Sequence, residues 1–280
     1  MKRQTPHRSI VAASVLALSL LIVSACSQVT GLSSGGSDDK TIKFVSTNIA
    51  LYEDTTKVLA DEVAKHGYKL DYKFITDGPE LNAAVESGEA DATYHQHQAY
   101  LDYYDRQFDG HLVAAFDAFV DPSGLFSKKW KSIQDLPNGA LVTAHVDPSN
   151  YYRPFLMLAD AGLIKLRPGV DPLSITEKDI VENPRNIKIQ GLDYALLPKA
   201  LDDADAGFLY GSQAADIGID FGTALVTETK QNQSPDVIAV KDGQQDSEKI
   251  RALKEAYQSD AIKEQLVKSF GGKQVVLPAW

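Results

Sequence analysis

The stretch Thr41-Ile42-Lys43-Phe44-Val45-Ser46, followed by Val58, Leu59, Val63 and Ala64 within residues 53–66 and then Gly67, decides the fold. Apolar residues alternate with polar ones over 41–46, the period of a half-buried strand. In 53–66 they recur at helical spacing, and Gly67 is a helix stop. The same unit returns at once: strand over 68–75, short helix over 79–87, strand over 90–94, helix over about 98–107. Strand and helix in regular alternation predict a parallel sheet covered by helices.

Downstream, a strand over 112–119 is interrupted by Asp121-Pro122-Ser123-Gly124, and a second alternation begins. It comprises a strand over 141–145, a helix over 149–161, a strand over 187–190, a helix over 194–201 and a strand over 206–210. A polar, proline-containing segment over 231–236 precedes a strand at 237–240 and two helices, 247–258 and 260–270. The pattern predicts an α/β protein of two lobes, one built from 41–118 with 236–280 and the other from 119–235. The chain then crosses between lobes near 119–124 and again near 228–235, and a pair of connecting segments forms a hinge.

Before residue 41 the composition changes. Lys2, Arg3 and Arg8 precede an uncharged run from Ser9 to Ala25 that ends Leu20-Leu21-Ile22-Val23-Ser24-Ala25-Cys26. A basic start, a short apolar core and small residues before a cut describe an export signal over 1–25. The run is broken by Ser14, Ser19 and Ser24 and is shorter than a membrane-spanning helix requires. Residues 26–40, rich in Ser, Gly and Asp, read as a flexible tether. Cys26 is the only cysteine, and this context resembles a bacterial lipobox, in which the cysteine carries lipid and holds the protein to the membrane. With Cys26 so used, no thiol is left for a disulfide, redox chemistry or a thiolate metal site.

Removing Lys2, Arg3 and Arg8 with the leader takes the formal charge from −10 to −13. Phosphate backbones repel such a chain, which excludes nucleic acid as a partner. The sequence holds no G-x-S-x-G, no dinucleotide-binding glycine pattern, no P-loop and no H-E-x-x-H, so binding is favoured over catalysis. No cofactor is expected.

Several blocks resemble the NlpA/MetQ family, the methionine-binding lipoproteins of ABC importers. They are Tyr94-His95-Gln96-His97-Gln98-Ala99-Tyr100-Leu101-Asp102, Gly124-Leu125-Phe126-Ser127-Lys128-Lys129, Asp147-Pro148-Ser149-Asn150 with Arg153, Ala161-Gly162-Leu163-Ile164, Asp179-Ile180-Val181-Glu182-Asn183-Pro184, and the ending Leu277-Pro278-Ala279-Trp280. The resemblance runs from about residue 41 to 280. It implies a periplasmic-binding-protein fold of type II, with two lobes closing on an L-amino acid, methionine or a related one, or a short peptide, that is handed to a permease and its ATPase. By that likeness Arg153 holds the ligand carboxylate, with Asn150 at the start of the same helix, and Tyr94, His97 and Tyr100 form an aromatic wall. The family's asparagine pair is replaced by Tyr210-Gly211-Ser212, its first loop by Asn48 to Glu53 with Tyr52, and a Glu-Gly pair by Tyr151-Tyr152. These departures point to Tyr52, Tyr210, Ser212 and the added tyrosines, with Glu53, as readers of a ligand other than free methionine.

Each residue also has a plainer role. Arg153 suits a salt bridge, Asn150 a helix cap, and the tyrosines core packing. His95 and His97 are two apart, so on a strand both imidazoles share one side; with His145 they make a metal-binding lipoprotein the alternative reading. A surface lipoprotein without transport activity is a third.

Overall fold

The computed structural model describes residues 40–76, 78–270 and 277–280. The expected leader, the lipid-bearing Cys26 and the tether up to residue 39 lie outside the described residues. Residues 40–280 form one compact unit.

The first part of the chain runs β1 (Thr41–Ser46), α1 (Ala50–Lys65), β2 (Lys69–Phe74), α2 (Gly78–Glu86), β3 (Ala92–His97), α3 (Gln98–Phe108) and β4 (Leu112–Val120). The second part follows as β5 (Ser123–Phe126), β6 (Leu141–His145), α4 (Pro148–Tyr151), α5 (Arg153–Asp160), β7 (Lys165–Leu166), β8 (Ile180–Glu182), β9 (Lys188–Leu192), α6 (Leu197–Ala200), β10 (Ala206–Tyr210), α7 (Gly211–Asp216) and β11 (Val226–Thr227). The chain ends with β12 (Asp236–Lys241), α8 (Glu248–Tyr257), α9 (Asp260–Ser269) and β13 (Leu277–Pro278).

Two sheets carry the fold. The first has the order β13-β4-β12-β3-β1-β2, and the second β11-β5-β10-β6-β9; β7 and β8 pair separately. The chain passes from the first sheet to the second across residues 121–122 and returns across 228–235. This is the two-lobed periplasmic-binding-protein architecture.

Strand β1 explains how the first lobe is held. Ile42 and Phe44 pack on one side with Leu59 and Val63 of α1 and with Leu253 and Leu266 of α8 and α9. Val45 points the other way, into a cluster with Leu81, Val85 and Leu101 of α2 and α3. A strand buried on both faces belongs in a helix-covered parallel sheet, and β1 is parallel to β2 and β3. The second lobe closes around Phe126, Val142, Phe155, Leu158, Phe208 and Leu209. Its strand β6 is parallel to β9 and β10.

The wholly parallel expectation needs correcting. Strand β12 is antiparallel to β3 and β4, and β5 is antiparallel to β10 and β11. Both strands lie next to a crossing, where the chain enters a sheet from the hinge rather than from a covering helix. Pairing of Asp236 with His97 and of Val237 with Gln96 also draws β3 beyond its expected end at residue 94. The single helix expected over 149–161 is two, α4 and α5, separated at Tyr152. Pro154 has no N–H to give the carbonyl of Asn150, so the hydrogen-bond ladder breaks there.

Candidate functional site

The carboxyl ends of β1, β3, β4, β6 and β10 converge on a cavity of about 290 Å³ lined from both lobes. Open α/β sheets place ligands at such strand ends. The first lobe contributes Tyr52 from the opening turn of α1, His95 and His97 from β3, and Tyr100 from α3. The second contributes His145, Asn150, Arg153, Tyr194, Tyr210 and Ser212, and the two crossings bring Asp121 and Asp236.

His97 sits where β3 turns into α3 and serves both elements. Its Nδ1 accepts from the Tyr100 backbone N–H at 3.1 Å, which caps the helix. Nε2 therefore carries the proton and donates to Asn150 Oδ1 at 2.9 Å, a hydrogen bond that joins the lobes. Burial, and then the charge of Arg153, lower the His97 pKa to about 4, so the ring is neutral at pH 7. Asn150 Oδ1 also accepts from Arg153 Nη1 at 3.0 Å. The Asn150 Nδ2 donates to Asp147 Oδ1 and Ser149 Oγ, each at 3.2 Å.

Arg153 is committed to an ion pair. Its Nε donates to Glu228 Oε1 at 2.6 Å and its Nη2 to Glu228 Oε2 at 2.5 Å. The side chains are 6% and 2% exposed. Burial alone would lower the arginine pKa, but the adjacent carboxylate outweighs it and raises it. The guanidinium lies 5.2 Å from the ring centroids of both Phe208 and Tyr210, a cation–π arrangement. Glu228 Oε2 also accepts from the Ser123 N–H at 3.2 Å, so Arg153 is tied to the end of the first crossing and the start of the second. One edge of the guanidinium faces Glu228, and Nη1 is on the side of Asn150, itself a residue of the cavity wall.

The remaining wall is aromatic and acidic. Tyr210 Oη and His145 Nδ1 are 2.9 Å apart, and Tyr194 packs on both rings. Ser212 donates to Asp121 from its N–H at 3.1 Å and from its hydroxyl at 2.5 Å. The Tyr52 hydroxyl donates to Asp236. Tyr100 reaches the cavity over Gly78, where a Cβ would stand 2.6 Å from the tyrosine oxygen.

Several expected residues lie elsewhere. Tyr94 is fully buried and does not line the cavity; alternation along β3 turns it into the core, where its hydroxyl meets that of Tyr257 at 2.8 Å. Tyr152 is core, and Tyr151 donates to Glu177 and packs on Phe155. Glu53 pairs with Lys57 one turn along α1, at 3.7 Å. The metal-binding alternative also lacks support. His95 and His97 share a side of β3, but both His97 nitrogens are occupied and His145 is bonded to Tyr210. Among the described residues no group of three or more His, Cys, Asp or Glu side chains gathers to hold a metal.

Asp121, Asp236, Tyr194 and Glu228 were not singled out as site residues by sequence reasoning. Their common signal is position, since three of them flank the crossings and Tyr194 follows the end of β9.

The comparisons with known proteins agree with this architecture. A protein-family model described as NlpA lipoprotein matches residues 44–280. The D-methionine-binding lipoprotein MetQ of Escherichia coli K12 is 34% identical over 246 residues, covering 86% of this chain and 90% of that protein. A nutrient binding protein from Burkholderia cenocepacia, solved bound to methionine, superposes with a TM-score of 0.78 at 33% identity, covering 85% of this chain and all of that one. An ABC transporter periplasmic substrate-binding protein from Coxiella burnetii gives a TM-score of 0.77 at 28% identity, covering 85% of this chain and all of that one. With the family model spanning nearly the whole folded part and the same two-lobed architecture around the cleft, this chain belongs to the NlpA lipoprotein family.

Proposed function

We propose that the protein is the extracytoplasmic solute-binding component of an ABC-type importer, attached to the membrane through lipid on Cys26, and that it closes its two lobes on an amino acid or short peptide. The observation that carries this reading is a polar, aromatic-lined cavity between the lobes, bridged by the His97–Asn150 hydrogen bond and floored by the two crossings. A ligand there touches both lobes only when they are closed, so its binding energy biases the hinge. The relatives bind methionine or are substrate-binding proteins of ABC transporters, which supports the same class of solute. The protein itself makes and breaks no bond; hydrolysis of ATP belongs to the importer's ATPase. Arg153 Nη1, Asn150 and Tyr210 form the polar end of the site, and His97, Tyr100, Tyr52 and Ser212 the facing wall.

Isothermal titration with the common amino acids and a set of dipeptides tests the reading. Saturable binding of at least one, lost in Asn150→Ala, is expected. Absence of binding across the panel would refute it.

A further inference from the structure

Three aspartates and one arginine line the cavity, Asp121, Asp147, Asp236 and Arg153, and the guanidinium is matched by Glu228 directly behind it. None of the three aspartates has a cationic partner among the described residues. Asp147 is satisfied by Ser149 and Asn150, Asp121 by Ser212, and Asp236, 6% exposed, by the Tyr52 hydroxyl. Asp121 and Asp236 are close neighbours at the cavity floor. Asp236 pairs across the ladder with Phe119, two residues before Asp121, and the two carboxylates sense each other's charge. Both stand at the crossings, so opening the lobes leaves them together. Tyr52, Tyr194 and Tyr210 present aromatic rings to the same cavity, and such rings favour a cation. His95 adds a buried Nε2 without a partner, which is an acceptor or donor awaiting a polar ligand atom.

A zwitterion adds one charge of each sign and leaves this acidic excess in place. A ligand with one more positive than negative charge reduces it, and burying an unpaired charge is costly. Resting on the reading of the cleft as an amino-acid or peptide site, we propose that the protein selects ligands of net positive charge, with a ligand ammonium seated between Asp121 and Asp236. Two chemistries supply such a ligand: a basic amino acid, or an amine whose carboxylate is blocked, as in an amide. In the empty cleft, burial followed by the charge of Asp121 pushes the Asp236 pKa up to about 8, against the opposing charge of Arg153 and the Tyr52 hydrogen bond. A cation entering at pH 7 therefore expels a proton from this pair.

Titration of the purified protein at pH 7 with the twenty common amino acids and their α-amides tests the proposal. The tightest ligand should be a net cation, and for neutral side chains the amide should bind at least tenfold tighter than its parent. A preference for lysine or arginine over all amides of neutral residues identifies the basic amino acid; the reverse identifies the blocked carboxylate. Titrations in buffers of different ionisation enthalpy should report proton release on binding, absent in Asp236→Asn, and the same variant should lose the preference for the cation. A neutral amino acid binding more tightly than every net cation would overturn the proposal while leaving the amino-acid site intact. Silence across the whole panel would remove the proposal together with the amino-acid reading of the cleft.

Discussion

At position 153 a guanidinium sits 6% exposed against a carboxylate that is 2% exposed, and that pairing sets what mutation there can report. Removing one partner of a buried pair leaves the other uncompensated, at a cost of roughly 3–5 kcal/mol, whereas replacing both by apolar groups is often nearly neutral. Arg153→Met and Glu228→Leu should each lower the urea midpoint strongly, and the double variant should recover most of the loss. If the double variant were as unstable as the sum of the singles, the pair would not be acting as a unit. Asp236 makes a second residue-level prediction. Its pKa is raised from the ordinary carboxylate value of 3.8 to about 8 by burial and by Asp121, so between these pH values the folded state binds a proton that the unfolded state has released. The contribution of Asp236 to stability should therefore fall as pH rises from about 4 to 8, with a slope of at most about 1.4 kcal/mol per pH unit, while the buried neutral His97, its pKa lowered to about 4, contributes the opposite slope below pH 6.5. Asp236→Asn should flatten this dependence in denaturation curves taken across that range.

At the scale of the elements, two junctions hold the site. Strand β3 delivers His97 to the first turn of α3, where one imidazole both caps the helix and reaches Asn150. His97→Ala should cost about 0.5–2 kcal/mol for the lost cap. His97→Asn can restore the cap with a shorter side chain that falls short of the second lobe. Calorimetry should thus find stability largely recovered in His97→Asn while ligand affinity stays low, and equal affinity in both His97→Asn and wild type would argue against the bridge. Strand β10 packs so closely that a Cβ on Gly207 would lie 2.7 Å from both Leu201 Cδ2 and Thr143 Oγ1. Gly207→Ala should destabilise the second lobe by about 1–3 kcal/mol, an overpacking cost. The alternation of strands and helices was readable in the sequence because each buries a regular face. The break at Tyr152, the antiparallel strands beside the hinge and the extension of β3 were not, since each depends on a pairing or a missing donor distant from the local pattern.

For the whole molecule, the two lobes meet at the crossings and across the cleft, so ligand and hinge are thermodynamically linked. A ligand at a hundred times its dissociation constant stabilises the folded state by about 2.7 kcal/mol, which corresponds to roughly 5–10 °C in Tm for a chain of this size. Scanning calorimetry with and without ligand should detect that shift, and solution scattering should find a smaller radius of gyration when ligand is bound to an otherwise open protein. Asn150→Ala should weaken both responses, because Asn150 receives His97 from one lobe and Arg153 from the other.

By itself the sequence determined the α/β class and the two-lobed family, because these rest on periodicities of two and 3.6 residues and on ordered blocks that survive in the linear chain. It also brought His97, Tyr100, Asn150 and Arg153 forward, since they fall within those blocks. Only the tertiary structure decided that Tyr94 is core, that Arg153 is paired with Glu228, and that Asp121 and Asp236 meet at the hinge. Glu228 lies 75 residues from Arg153, and no local pattern registers a charge whose partner is that far along the chain. Burial, and the electrostatics that follow from it, belong to the packed molecule.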